Sequence, residues 1–261
     1  MNTRRLFAVS ALLLSLSAGL LNGCKKDGSD SSQPTVGTVS LALNNVAGSK
    51  AVALDGTTYT TASGETFSIS TLEYYISNVV FTKADGSTYA APGVYHLVNV
   101  AKPSTTSFAI DNVPTGDYSG VKFTVGVDST RTKADPLSLT GDLNPANNMY
   151  WVWSTGHIFM KLEGNVTSAG NKALVCHVGG YRAPYSAIVT AAPSFNGTTL
   201  PVRADHAATV NLTADVLKLF DGTTHFALST FPTTMEPSAS SVQVTQNYAA
   251  GMFTVKSINA N

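Results

Sequence analysis

The sequence predicts a single all-β domain, a β-sandwich of immunoglobulin-like or jelly-roll-like kind, with one short helix near residues 213–221. Thr, Ser, Val, Tyr and Phe are abundant, whereas only 12% of the 261 residues are charged. Short apolar runs alternate with Gly, Asp, Asn and Pro clusters, the pattern of many short strands. Packing two sheets face to face is the simplest way to bury such strands.

The strands expected in chain order are 39–43, 65–69, 73–81, 95–99, 106–110, 120–127, 149–153, 157–163, 173–178, 206–212 and 253–258. Ala84-Asp85-Gly86 and Val113-Pro114-Thr115-Gly116 supply turns between such runs. After Thr213 the apolar residues fall at helical spacing, and Asp221-Gly222 ends the run, which predicts the one short helix.

Ahead of this domain, Arg4 and Arg5 precede an apolar run from Leu6 to Leu21, as in a secretory signal peptide spanning residues 1–23. The run is shorter than the ~20 residues a membrane-spanning helix needs. Leu21-Asn22-Gly23-Cys24 resembles a bacterial lipobox, so Cys24 is the expected lipidation site. Residues 24–38, rich in Ser, Gly, Asp and Pro, read as a flexible tether, and residues 39–261 as the folded domain. A lipid on Cys24 would anchor the protein to a membrane of the cell envelope. Lys25, where an inner-membrane retention signal would carry Asp, points to the outer membrane, with the domain facing the periplasm or the cell surface.

Charge and cysteine content remove several functions. The chain carries 16 Lys+Arg and 16 Asp+Glu. Loss of Arg4 and Arg5 with the leader leaves 14 against 16, so no basic field is available to hold nucleic acid. Cys176 is the only cysteine besides Cys24, which rules out an internal disulfide. No Gly-x-Ser-x-Gly elbow, His-Glu-x-x-His helix or P-loop occurs, and Ser154 and His157 lie at a spacing that rarely aims two strand side chains together. The sequence therefore reads as a binding protein and not an enzyme.

The histidines, His96, His157, His177, His206 and His225, lie far apart, without the spacing of a zinc motif. The densest chemistry runs from Gly126 to Tyr181. Asp128, Asp142 and Asn144 crowd a loop region whose oxygens could hold calcium. Met149–Trp153 follows, and strand alternation puts Trp151 and Trp153 on one face. The same alternation sets Ile158, Met160 and Leu162 in one row and His157, Phe159, Lys161 and Glu163 in the other, with His157 toward water. It also opposes Cys176, a small buried hydrophobe, to His177, the better ligand candidate.

These segments resemble the MbnP-like family of bacterial copper-binding proteins, which is related to copper-repressible surface proteins of methane oxidisers. The resemblance runs through Leu72–Val79, Val113–Tyr118 and Val125–Asp128. It is most specific in Gly141-Asp142-Leu143-Asn144-Pro145, Met149–His157, Lys161-Leu162-Glu163-Gly164 and His177-Val178-Gly179-Gly180-Tyr181. It implies an exported β-sandwich that binds copper through histidines beside a tryptophan, which some members carry oxidised to kynurenine by a dihaem enzyme related to cytochrome c peroxidases. Carried onto this sequence, the ligand set is His177 with His206 or His157, beside Trp151 or Trp153. The alternative expectation is a metal-independent module that recognises a glycan or protein through exposed Tyr and Trp rings.

Overall fold

The computed structural model describes residues 35–154 and 156–260. The expected leader, Cys24 and most of the expected tether lie outside the described residues. Fifteen strands follow. The first five are β1 (Val36–Ala47), β2 (Lys50–Ala51), β3 (Thr58–Thr60), β4 (Thr66–Lys83) and β5 (Thr88–Ala90). Next come β6 (Tyr95–Asn99), β7 (Ser107–Pro114), β8 (Gly116–Val125), β9 (Tyr150–Trp151) and β10 (Gly156–Val166). The last are β11 (Lys172–Gly179), β12 (Val189–Ala191), β13 (Leu200–Val202), β14 (Ala207–Asp215) and β15 (Phe253–Ala260). The described residues hold two α-helices, α1 (Ser129–Thr132) and α2 (Ala239–Gly251).

The strands form two sheets. The smaller runs β15-β14-β1-β2, with β7 also on β1, and its β1–β14 pair is parallel, Leu41 opposite Val210. The larger runs β11-β10-β4-β8-β12, with β3, β5 and β6 on β4, β13 on β8 and β9 on β10. Alternation along β1 and β14 buries every second residue, Val39, Leu41 and Leu43 against Val210, Leu212 and Ala214, as a sheet with one apolar face requires. Aromatic rings knit the layers: Phe253 lies edge-on to Tyr74 at 6.0 Å and to Phe123 at 5.2 Å, and Phe67 to Phe220 at 6.2 Å. The all-β sandwich expectation is met.

Three local expectations change. Strand structure begins at Val36, so residues 36–38 belong to β1 and not to the tether. The two strands expected at 65–69 and 73–81 are one, β4, whose pairing skips a residue where Glu163 faces Thr71 and Gly164 faces Ile69. Near 213–221 the helical part is one 3-10 turn, Val216–Leu219, begun by the Asp215 carboxylate accepting from the Leu217 N–H at 3.1 Å. Residues up to Asp215 stay extended because they pair with β1 and β15.

The longer helix, α2, was not expected. Its buried side is Ser241, Val244, Thr245, Asn247 and Tyr248, mostly polar, so it shows no apolar stripe. Its inward polar groups are matched locally instead: Asn247 donates to the Leu219 and Thr224 carbonyls at 3.0 and 2.6 Å. The Ser238 hydroxyl, accepting from the Ser241 N–H, is the N-cap that could have flagged it. Among the described residues no helix is long and apolar enough to cross a membrane.

Candidate functional site

The strand register of β4, β10 and β11 builds the site. Lys161 on β10 faces Glu73 on β4 on one side and His177 on β11 on the other. Paired residues of neighbouring strands share a face, so Glu73, Lys161 and His177 form a row across three strands. His177 and Cys176 point to opposite faces, as expected. Cys176 is fully buried, and burial pushes its thiol up to about 12.

His177 is 6% exposed. Its Nε2 lies 2.7 Å from Oε1 of Glu163, whose other oxygen accepts from the Thr71 hydroxyl at 3.0 Å. These bonds hold the Glu163 carboxyl below its usual range even though its partial burial opposes the shift. Glu163 is thus an anion, and Nε2 carries the proton it accepts. Burial keeps the imidazole pKa below the ordinary histidine value against the pull of that carboxylate, so the ring is neutral. Its remaining nitrogen, Nδ1, bears the lone pair and is buried with no partner. An imidazole oriented by a carboxylate on one nitrogen, with the other left free, is the arrangement of a metal-binding histidine.

Trp151 lies against β11 further along. A Cβ placed on Gly179 would come within 2.9 Å of Trp151 Cζ3, so the edge of the indole lies on that glycine. Gly179 is two residues from His177, hence on the same face and about 6.6 Å along the strand. The indole is 1% exposed and its Nε1 also lacks a partner. It forms one wall of a cavity of about 150 Å³ shared with Tyr181, Arg182 and Pro237.

Trp153 differs from the expectation that both indoles share a strand face. β9 ends at Trp151, and the Ser154 N–H turns back to the Trp151 carbonyl at 3.3 Å. Trp153 is therefore 64% exposed, with its ring 6.4 Å from that of Trp151.

His157 is buried and does not face water. The β10–β11 register shifts between Ile158 and Met160, which breaks the alternation on which that expectation rested. Its Nε2–H donates to the Leu143 carbonyl at 3.1 Å, and Nδ1 accepts from the Thr132 hydroxyl at 3.1 Å. Tyr75 and Tyr150 close on the ring edge-on at 5.6 and 5.1 Å. Both nitrogens are spent on holding the loops that carry Thr132 and Leu143. His206 sits on the turn between β13 of the larger sheet and β14 of the smaller, with Nδ1 2.7 Å from Asp205 Oδ1. The structure thus sets the Trp151 indole on Gly179, two residues along β11 from His177, and places His206 on the turn between β13 and β14.

The oxygen-rich loops are likewise committed. Asp128 caps α1 by accepting from the Thr130 and Arg131 N–H groups and takes the Tyr95 hydroxyl bond. Asn144 accepts from the Ala146 N–H at 2.9 Å. Asp142 accepts from the Leu97 N–H at 2.9 Å, with His96 Nδ1 at 3.3 Å. Among the described residues no group of three or more His, Cys, Asp or Glu side chains converges on one point. The bond from His96, and next that from Leu97, holds the Asp142 carboxyl below its ordinary 3.8 against partial burial. A depressed carboxylate adds stability above its unfolded pKa and loses it as pH falls through the folded value. Acid titration of unfolding is therefore expected to show stability declining below about pH 4, and Asp142→Asn should flatten that decline. Because Asp142 is half exposed, the loss at neutral pH should stay within about 1 kcal/mol.

Glu163 and Lys161 were not singled out as site residues. Their signal was the stretch Lys161-Leu162-Glu163-Gly164, but only the register shows that one orients His177 and the other sits opposite it.

Fold and site together define a β-sandwich protein with one carboxylate-oriented histidine on β11 and a buried indole lying on the same strand two residues further on. The family model for MbnP matches residues 36–237, and the chain belongs to that family. Among solved structures, MbnP from Methylosinus trichosporium aligns over 86% of this chain and 99% of its own, at 13% identity and a TM-score of 0.52, a likeness of fold. No curated protein matches the chain.

Proposed function

We propose that this MbnP-family chain is an exported copper-binding protein, held at the cell envelope by a lipid on Cys24, that captures or handles copper without turning over a substrate. The observation that carries the reading is the free, buried Nδ1 of His177 with Nε2 fixed by Glu163. A neutral imidazole suits Cu(I), which accepts low coordination from nitrogen and soft donors. With His157 spent and His206 remote, the second donor falls to Trp151. Intact indole is a poor ligand. Oxidation to kynurenine, for which the partner would be a dihaem enzyme related to cytochrome c peroxidases, would leave an aryl amine and a carbonyl over Gly179, on the strand that carries His177. Lys25, and not Asp, directly follows Cys24, which supports an outer-membrane address.

Metal analysis of the purified chain should find copper close to one per protein, and His177→Ala should reduce it at least tenfold. Full occupancy in that variant would reject the assignment. Intact mass would report the acyl group and any oxygen added at Trp151.

One observation favours the metal-independent reading. Leu137, Val152, Trp153, Tyr185 and Met235 are exposed. Such a surface suits a glycan or protein contact, and glycan-array binding that survives chelation would support it over copper.

A further inference from the structure

We propose that the cavity between Trp151 and Arg182 binds a small carboxylate carried on a flat six-membered ring, at a site that involves neither His177 nor a metal. The cavity, of about 150 Å³, is lined by Trp151, Ser154, Gly156, Tyr181, Arg182 and Pro237. A space of that size admits a benzene ring. Two aromatic rings, a proline and a glycine make most of its wall, which suits the faces of a flat apolar body.

Two groups on this wall lack the partner their chemistry calls for. The Nε1–H of Trp151 is buried without an acceptor, and an indole nitrogen can only donate. The benzo edge of the ring rests on Gly179, with Cζ3 and Cη2 2.9 and 3.2 Å from where a Cβ would stand, so the pyrrole end that carries Nε1 is turned away from β11. Arg182 is the second group. Its guanidinium lies 4.8 Å from the centre of the Tyr181 ring, and among the described residues no carboxylate forms an ion pair with it. A guanidinium stacked on a ring keeps its fork of N–H groups free at the edge, which a carboxylate fills with two bonds. Tyr181 and Arg182 also line an adjoining hollow with Lys133, Asp135 and Tyr150. Asp135 is the one carboxylate lining either space, and its Oδ1 is taken by the Leu137 N–H at 3.0 Å. Lys133 adds a second positive charge.

Benzoate is the probe, set against its neutral isostere benzamide and against galacturonate, an acidic sugar whose hydroxyls would face rings and glycine. The chain holds two tryptophans, so its nitrogen-15 NMR spectrum shows two indole N–H signals, and Trp153→Phe assigns that of Trp151. Titrations are followed on this signal with a chelator present, which keeps copper out of the measurement. Arg182→Gln removes the charge at an exposed position. Gly156→Val puts methyl groups into the cavity, where a Cβ would already stand 3.5 Å from the Tyr181 ring. Melting curves show that the variants are folded.

Benzoate should move the Trp151 indole signal downfield to saturation and bind about tenfold more tightly than benzamide, the size of one hydrogen-bonded charge. Arg182→Gln should bring benzoate down to the level of benzamide, and Gly156→Val should abolish the shift. A Trp151 signal that ignores benzoate, or that answers benzoate and benzamide alike, overturns the carboxylate site. Tighter binding of galacturonate than of benzoate overturns the flat-ring assignment. With no metal in the titration, none of these outcomes bears on the copper reading, and a chain that binds no copper leaves the cavity site standing.

Discussion

Gly164→Ala is expected to destabilise the fold by about 3 kcal/mol or more. A Cβ at this position would sit 1.8 Å from the Ser68 carbonyl oxygen and 3.1 Å from the Ile69 Cα. These are backbone atoms of β4 and cannot turn aside as a side chain would. The contact arises where the β10–β4 register skips a residue, bringing the two strands close at Gly164. Relief would require β10 to move away from β4, and with it the row that carries Lys161 beside His177. Urea unfolding measures the effect, with Gly120→Ala as the control, because a Cβ on Gly120 meets nothing within 4 Å. Equal midpoints for the two variants would contradict the close approach.

The second large effect separates the two tryptophans. Trp151→Ala should cost about 3–5 kcal/mol, the usual range for emptying a buried aromatic position. Trp153→Ala should stay within about 0.5 kcal/mol, as for other exposed sites. The rings are neighbours, but one is 1% and the other 64% exposed, so burial alone sets the contrast. Intrinsic fluorescence of each variant during unfolding offers a second readout: the signal lost with Trp151 should be the one that responds to unfolding. If both substitutions cost the same, the turn at Val152–Ser154 does not divide the pair as described.

Much of the sandwich could be read from the chain. β6 falls on the expected residues, and β10 and β11 enclose the runs expected there, because alternation and turn residues are local signals. The misreadings share a cause. Burial of His157, the division of Trp151 from Trp153, and the fusion of two strands into β4 all depend on bulges and turns that shift side-chain parity. Such shifts come from pairing with distant strands. The polar inward face of α2 hid that helix for a different reason, since apolar periodicity is silent where Asn247 and Thr245 do the packing.

At the site, the sequence pointed to His177, and the register supplied what it could not: Glu163 on one nitrogen, Trp151 over the nearby glycine, and Lys161 opposite. The choice between His157 and His206 as second ligand was open in the sequence. The structure explains why neither stands ready, since one ring bridges two loops and the other, on the turn between β13 and β14, is bonded to Asp205.

The parallel pair of β1 with β14 sets the order in which this molecule can be made. Thr38 meets Ala207 and Val46 meets Asp215, so a segment synthesised early finds its neighbour only after most of the polypeptide has emerged. Until then β1 presents an open edge to whatever surrounds it. A chain with this wiring gains from being kept unstructured until its full length is available, as happens to a polypeptide threaded through a translocation channel before it folds.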